Sequence, residues 1–320
     1  MRAPVVQDCI AVHRTERLAP WLERASMSPA WLVLQVGLLG LMTLSTVTKT
    51  WHDHLWLGFV LVGVTGAAWS VEFVKRRDRL WWFAYVAGIF FYDLLRAFAD
   101  ETAIPIRSGY VISVDRALFF GVHPVESLQK AFFSTTSIGF ADYFAVGVHW
   151  SFFIAPHAMA ILIFVYRRPL FKPYVATVVG TMYLGLLLFF LLPTAPPWLA
   201  ASEGQLHGVY RVMDFVGGKV NASTYQSFYA ALGEPNSVAA MPSIHMGVTF
   251  AMYLWSRVYA PAWRWPLLVY TLVMGLALVY LAEHYVLDLV VGMVCACIAW
   301  WFSRPLAPGS PALSHSPAPE

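Results

Sequence analysis

The sequence predicts an all-α, polytopic membrane protein with about eight transmembrane helices. Three observations support this fold class. Of the 320 residues, 59% are hydrophobic and 12% are charged, whereas a soluble domain carries about 25% charged residues. The apolar residues come in stretches of roughly 20, the length that a helix needs to cross the hydrocarbon layer. Lys and Arg concentrate in every second connecting segment, as they do in the cytoplasmic loops of membrane proteins.

The predicted spans divide the chain into a long transmembrane region and two short ends. They cover residues 31–48, 55–73, 81–98, 143–165, 170–192, 239–256, 265–282 and 285–302. Residues 1–30 hold four arginines without a long apolar core or a cleavage site, so we expect a cytoplasmic segment rather than a signal peptide. Residues 305–320 are rich in proline and predict a disordered tail. The transmembrane domain is therefore expected at 31–304.

The basic residues also predict the orientation. The sequences KRRDR and YRRP, together with Arg257 and Arg264, fall on the side that the N-terminus occupies, which is therefore the cytoplasmic side. Both termini are then cytoplasmic. The two longest irregular segments, 99–142 and 193–238, lie on the outer face. Because loops of this length are commonly functional, we expect a functional site on that face.

Two histidines stand at the edges of apolar stretches, in AAMPSIHMG and AEHYVLDLVVG. His245 opens the sixth span and His284 closes the seventh, so both are expected at the outer face. Asp288 follows His284 by four residues, one helical turn further on. Such a carboxylate can hold one imidazole nitrogen and leave the other free. Packed core histidines are the alternative interpretation. A zinc site is disfavoured because His245 has no second ligand at suitable spacing.

The residues around His245 favour an anion site. Pro242 suits the first turn of a helix, and the unpaired N–H groups of a helix start bind phosphate readily. We therefore include Ser243 and Gly247 among the candidate substrate-binding residues.

The motifs PSIH and HYVLD resemble the second and third signature motifs of the type 2 phosphatidic acid phosphatase superfamily, whose fold is shared with vanadium haloperoxidases. FYDLLRAFAD, VDRALFFGVHPVESLQ and LPTAPPW resemble the inositol phosphorylceramide synthase-like branch of this superfamily and its bacterial relatives. The likeness extends from about residue 85 to 300. It implies a phosphatidic acid phosphatase type 2/haloperoxidase-like catalytic core within about 81–304.

The resemblance also implies a mechanism. His284 would attack phosphorus and form a phosphohistidine, Asp288 would orient it, and His245 would protonate the leaving alkoxide. The expected function is transfer of a phosphoryl or phospho-head group from a lipid phosphate or phospholipid to a lipid or glycan alcohol, at the outer face of a bacterial plasma membrane. One alternative is a lipid phosphate or polyprenyl (pyro)phosphate phosphatase. The other is a non-catalytic lipid-binding or transport protein of the same fold.

The sequence departs from the phosphatase pattern in its basic residues. Phosphatases of the superfamily carry a first motif with Lys and Arg before Pro, and an Arg shortly before the nucleophilic His. Here YRRP falls on the opposite face, and LALVYLAE precedes His284. Arg96 at the outer end of the third span, three residues after Asp93, is the best substitute to meet the phosphate charge. A purely structural pair of Asp93 with Arg96 is the alternative.

Other polar residues are weaker candidates. The outer loops contain further cations: Arg107, Arg116, Lys130, Arg211 and Lys219. His149 lies near the outer third of the fourth span, where a packed core histidine is the simpler interpretation, and His157 is deeper. Nucleotide loops, dinucleotide fingerprints and metal-ligand clusters are not visible, which predicts an enzyme without cofactors. The formal net charge of +3 is too small to indicate a nucleic-acid partner.

Overall fold

The computed structural model describes residues 76–96, 104–219 and 239–307, with a few isolated positions between 30 and 41. The chain divides into two compact units, Met1–Ala87 and Gly88–Glu320. All regular elements in the described segments are helical, and one isolated parallel bridge joins Thr194 to Ala239. The predicted spans 31–48 and 55–73 and most of the predicted tail lie outside these residues.

The helices of the described segments are labelled in chain order. They are α1 (Arg76–Arg96), α2 (Gly109–Leu118), α3 (Pro124–Phe132), α4 (Phe140–Ser151), α5 (Ala155–Tyr166), α6 (Phe171–Leu191), α7 (Pro197–Ser202), α8 (Ile244–Tyr259), α9 (Arg264–Tyr280) and α10 (Val286–Ser303). Residues 212–219 are also helical. Helix α1 contains the boundary between the two units, and it corresponds to the predicted span 81–98.

Three helical segments of the described chain are long and apolar enough to cross a membrane. They are Arg168–Leu191, Pro261–Tyr280 and Val286–Leu306, and they match the predicted spans 170–192, 265–282 and 285–302. The total of eight spans remains a prediction.

The predicted span 143–165 is divided into α4 and α5, which are bent by 44° relative to each other and together form a fourth candidate span. Pro156 lies in the first turn of α5. A proline lacks the N–H that would continue the helix, and its ring collides with the preceding turn. This explains why the helix is interrupted between Ser151 and Ala155.

Helix α8 begins at Ile244, five residues later than the predicted span 239–256. Ser243 is its N-cap, with an extended backbone and an Oγ that accepts a hydrogen bond from the Met246 N–H at 3.3 Å. The 16 residues of α8 pack against α6, α9 and α10, so this helix lies at the centre of the bundle.

The contact between α8 and α10 is unusually close. A Cβ atom on Gly292 would lie 2.2 Å from the carbonyl oxygen of Ser243, and one on Gly247 would lie 2.9 Å from the carbonyl oxygen of Gly292. Small residues of this kind let two helix backbones approach each other. In addition, the Ser243 N–H donates to the backbone carbonyl of Asp288 at 3.0 Å. The beginnings of α8 and α10 are therefore fixed to each other.

One end of the bundle gathers most of the polar segments. Helices α6 and α9 end there and α8 and α10 begin there, while α2 and α3 pack against α10 and α9. Gln129 of α3 is buried, and its side-chain amide donates to the carbonyls of Tyr210 and Tyr280, each at 2.8 Å. Its oxygen accepts from the Tyr210 N–H. These bonds connect α3 and the residues around Tyr210 to the end of α9, just before His284.

Candidate active site

A tight turn places His284 between α9 and α10. Ala282 is fully buried and has a left-handed backbone with φ of 63°. The N–H groups of Glu283 and His284 both donate to the carbonyl of Leu278, at 3.1 and 3.3 Å. This is the pattern that commonly ends a helix, although the left-handed position is usually a glycine. The turn fixes the direction in which the His284 side chain leaves the backbone.

The imidazole of His284 is held by two acceptors. Its Nδ1 lies 2.9 Å from the carbonyl oxygen of Ala240 and 3.3 Å from Oδ2 of Asp288. A carbonyl oxygen only accepts hydrogen bonds, so Nδ1 must carry the hydrogen. In the neutral ring, the lone pair is then on Nε2, the nitrogen that a nucleophile needs. The fully buried Asp288 also accepts the Tyr285 N–H through Oδ2, at 2.9 Å.

His245 lies beside His284 in the first turn of α8. The centroids of the two rings are 5.8 Å apart. On its other side, His245 contacts His149 at 4.6 Å and Phe152 at 4.3 Å between ring centroids. Its Nε2 is buried and has no hydrogen-bond partner among the described residues. Three imidazoles therefore form a row, with the middle one able to give or take a proton at a bound group.

The four predicted substrate-binding residues occupy different positions. Arg96 lies close enough to His245 to interact electrostatically with its ring. Asp93 interacts electrostatically with Arg96, but its side chain is exposed. Ser243 is fully buried as the N-cap of α8, and Gly247 lies at the crossing with α10. Of the four, Arg96 is the one placed to meet charge near the histidines, whereas Ser243 and Gly247 build the helix start.

Arg211, one of the cations predicted for the outer loops, contacts the residue before His284. Its Nε donates to Oε1 of Glu283 at 2.9 Å, one residue before His284. Its guanidinium also lies over the ring of Trp198, 4.6 Å from the centroid.

The other cations predicted for the outer loops make different contacts. Arg116 pairs with Glu126 at 3.8 Å, and both line a polar cleft of about 720 Å³ together with Lys130. The backbone N–H of Arg107 bonds to Pro193, and Lys219 ends a described segment.

Two buried polar residues near the site were not among the candidates predicted from the sequence. Asp115 is fully buried, and its carboxylate accepts the N–H groups of Val286 and Leu287. His123 is 1% exposed and lies edge-on to the ring of Tyr285, with centroids 5.9 Å apart. Burial raises the pKa of Asp115 and lowers the pKa of His123 to about 4. Both residues belong to VDRALFFGVHPVESLQ, where a single Asp and a single His among apolar residues were the available signal.

A metal centre has no obvious ligands in the described segments. His, Cys, Asp and Glu side chains there do not form a group of three that could hold a metal ion. The rings of His149 and His245 contact each other at an interplanar angle of 37°.

Comparison with known proteins agrees with the motifs. Residues 109–302, which include all the site residues above except Asp93, Arg96 and Arg107, match the PAP2 superfamily. The chain is 30% identical over 164 residues to the inositol phosphorylceramide synthase catalytic subunit of Schizosaccharomyces pombe, covering 50% of this chain and 38% of that protein. It is 23% identical over 227 residues to the phosphoinositol dihydroceramide synthase of Bacteroides thetaiotaomicron, covering 66% and 72%.

These similarities confirm the family resemblance and its branch. The chain spans less than two fifths of the length of the S. pombe relative, 38%. No solved structure matches the chain. The family match covers most of the described residues, and several of the matched helices are apolar enough to cross a membrane. The chain therefore belongs to the PAP2 superfamily and is an integral membrane protein.

Proposed function

We propose that this protein is a membrane-embedded enzyme that transfers a phospho-head group from a phosphate-bearing lipid to an alcohol. The observation that carries the proposal is the arrangement of His284. Its Nδ1 is bound to the Ala240 carbonyl, which leaves Nε2 for attack, and the ring of His245 lies 5.8 Å away. The names of both relatives, which are synthases of inositol-containing phosphoryl lipids, support transfer over hydrolysis.

In the first half-reaction, the Nε2 lone pair of His284 attacks phosphorus and forms a P–N bond. The P–O bond to the lipid alcohol breaks, and the departing oxygen takes a proton from His245. The His284 ring becomes positively charged. The carboxylate of Asp288, 3.3 Å from Nδ1, stabilises this charge.

In the second half-reaction, the hydroxyl oxygen of the acceptor attacks phosphorus, and its proton passes to His245. The P–N bond breaks and His284 returns to its neutral state. If water replaces the alcohol, the same steps give hydrolysis, which is the reaction of the alternative phosphatase. The choice between the two reactions depends on which acceptor enters the site.

The charge on the phosphoryl oxygens requires donors near the two histidines. Arg96 supplies a cation close to His245. The first turn of α8 supplies backbone N–H groups that have no acceptor within the helix, at Ile244 and His245. The start of α10 is less suited to an anion because two carboxylates, those of Asp115 and Asp288, already accept its N–H groups. We therefore assign the phosphate to the start of α8.

We further propose that the site faces outward from a bacterial plasma membrane, with both termini in the cytoplasm. The histidines lie at the end of the bundle where α8 begins. The Arg168 turn before α6 and the Arg257–Arg264 connection lie at the opposite end, as the positive-inside rule requires. The expected donor is a phosphoinositol lipid, and the acceptor is a lipid or glycan alcohol.

The test is a product assay on the detergent-purified protein. Phosphatidylinositol tritiated in its head group is supplied with and without ceramide as acceptor. We expect a labelled phosphoryl lipid and repeated turnover to diacylglycerol only with the acceptor, and neither product with His284→Ala. His157→Ala, which changes a histidine outside the row, is the matched control and should keep activity. Labelled inositol phosphate released equally with and without acceptor would favour hydrolysis. Equal results for wild type and His284→Ala would exclude the proposed enzyme.

A further inference from the structure

We infer that Asp115 is a positioning residue that holds the start of α10, and through it the His284–Asp288 pair, in its reactive geometry. The consequence for catalysis rests on the proposed function, whereas the structural contact does not. Asp115 lies on α2, a helix that follows the outer end of α1 and precedes the bundle core in sequence. It is separated by 171 residues from the backbone groups that it binds.

The carboxylate of Asp115 accepts hydrogen bonds from two consecutive backbone amides. Oδ2 of Asp115 accepts the Val286 N–H at 2.8 Å, and Oδ1 accepts the Leu287 N–H at 3.0 Å. The side chain is fully buried, so water does not compete for these bonds. An ionised carboxylate also interacts favourably with the positive end of a helix dipole. Both oxygens are therefore committed to the first turn of α10.

Three consecutive amides at the beginning of α10 are held by carboxylates. Asp288 accepts the N–H of Tyr285, and Asp115 accepts those of the next two residues. In a free helix start, these groups have no acceptor within the helix. Asp288 caps the helix from within, as part of α10. Asp115 caps it from another element, which fixes where the helix start lies relative to the outer segments.

The residues that Asp115 binds lie in sequence between His284, the proposed nucleophile, and Asp288, which orients it. Only three residues separate His284 from Asp288, and two of them are the residues that Asp115 holds. A displacement of this turn would change the distances from His284 Nδ1 to the Ala240 carbonyl and to Asp288, now 2.9 and 3.3 Å. Because reactive groups must be placed within a fraction of an ångström, such a displacement reduces the rate of attack. Asp115 acts on the reaction through the backbone and does not bind the imidazole.

The first test measures the contact without any substrate. Hydrogen exchange followed by mass spectrometry is recorded for peptides that contain Val286 and Leu287. In Asp115→Asn, one oxygen is replaced by an NH2 group, so one of the two amides loses its acceptor. We expect exchange there to become faster by about tenfold or more. Glu126→Gln is the matched control, because Glu126 accepts a backbone N–H from His207, away from the histidine turn. Unchanged exchange in Asp115→Asn would overturn the inference.

The second test measures the consequence for catalysis. The protein is mixed with phosphatidylinositol tritiated in its head group, without acceptor, and label retained on the protein is followed in a single turnover. The amplitude reports the folded fraction, and the rate constant reports the attack. For Asp115→Asn, we expect the rate constant to fall about 10- to 100-fold at an amplitude close to that of wild type. A smaller amplitude with an unchanged rate constant would show a purely structural role and overturn the inference.

Two further outcomes, no label retained by wild type and an Asp115→Asn variant that does not fold, are each covered by a separate measurement. If wild type retains no label, the proposed function fails, and hydrogen exchange still decides whether Asp115 holds α10. If Asp115→Asn does not fold, Asp115→Glu keeps the charge and both oxygens but displaces them by one methylene group. This variant should show faster exchange at Val286 and Leu287 and a smaller loss of labelling rate than the asparagine variant. A labelling rate and an exchange rate equal to those of wild type would contradict the positioning role.

Discussion

At the residue scale, the backbone of the protein determines the tautomer of His284. The Ala240 carbonyl is nearer to Nδ1 than the Asp288 carboxylate is, at 2.9 against 3.3 Å. The two acceptors have different consequences. The carbonyl fixes which nitrogen carries the hydrogen, whereas the carboxylate also supplies a negative charge that would stabilise the positive charge of the proposed phosphohistidine. These contributions can be separated by mutation.

Asp288→Asn should retain the tautomer and lose the charge. We expect kcat to fall about 10²- to 10³-fold, because the Ala240 carbonyl still binds Nδ1 while the imidazolium loses its counterion. In His284→Ala, kcat should fall further, to the background rate, because this variant lacks the nucleophile. The measurement is kcat for both variants in the product assay. Equal losses would show that the charge of Asp288 is as indispensable as the nucleophile itself.

His123 should make stability depend on pH. Burial lowers its pKa from 6.5 to about 4, so the unfolded chain binds more protons than the folded one between these values. Stability should be fully present above pH 6.5 and should decrease as the pH falls toward 4, by on the order of 1 to 3 kcal/mol. Thermal unfolding followed by tryptophan fluorescence should show this decrease in wild type and a weaker one in His123→Phe. An unchanged dependence in His123→Phe would contradict the assignment.

At the element scale, the close crossing of α8 and α10 joins the two halves of the site. Ser243 caps α8, and its own N–H and carbonyl groups both lie against the start of α10. The crossing therefore sets the separation between His245, which α8 carries, and His284, which precedes α10. The residues of this crossing take no direct part in the proposed reaction, yet they control the separation between the two histidines.

Gly292→Ala should force these helices apart. The added Cβ would lie 2.2 Å from the Ser243 carbonyl oxygen, and relieving this overlap should cost on the order of 3 kcal/mol. We expect a lower unfolding temperature and a loss of activity greater than the loss of folded protein. Gly147→Ala on α4 is the matched control, because a Cβ there meets no atom within 4 Å. Equal stability of the two variants would show that the crossing is not tight.

Ala282→Gly should relieve the turn that carries His284. An L-residue in the left-handed region costs roughly 1 to 2 kcal/mol relative to glycine, which adopts it freely. Ala282 has φ of 63°, so the variant should unfold at a temperature that is equal to or higher than that of wild type. The buried methyl group is lost at the same time, which offsets part of this gain. A clear fall in the unfolding temperature would show that the methyl group matters more than the backbone strain.

At the scale of the whole molecule, the sequence predicted the features that depend on composition and short motifs. Three predicted spans correspond to apolar helices, and the two histidine motifs identified the superfamily. The return of His245 and His284 to one end follows from two crossings between them. Such features can be predicted from the sequence because an apolar length or a helical spacing is a local property of the chain.

The remaining features depend on tertiary contacts. The Ala240 carbonyl binds His284 across 44 residues, and Asp115 binds α10 across 171. Any residue has a carbonyl, so Ala240 carried no signal in the sequence. The proline that divides the fourth span, Pro156, was visible in the sequence, but the apolar length predicted one continuous span. The roles of Gly247 and Ser243 in helix contact likewise required the position of α10.

At the same scale, the proposed chemistry depends on residues that come together at one end of the bundle. The proposed site combines His284 with its fixed tautomer, His245 beside it, and the cation of Arg96 from α1. Each of these elements enters the site from a different part of the chain. Their joint action is tested by the covalent intermediate that the proposed reaction forms on His284.

The most direct measurement is therefore identification of that intermediate. The purified protein is incubated with head-group-tritiated phosphatidylinositol without acceptor and quenched under alkaline conditions, and the labelled peptide is sequenced by mass spectrometry. We expect a phosphoinositol group on His284, its absence in His284→Ala, and its disappearance when an alcohol acceptor is added. A turnover of the lipid by wild type without any label on His284, or with label on another residue, would contradict the proposed mechanism.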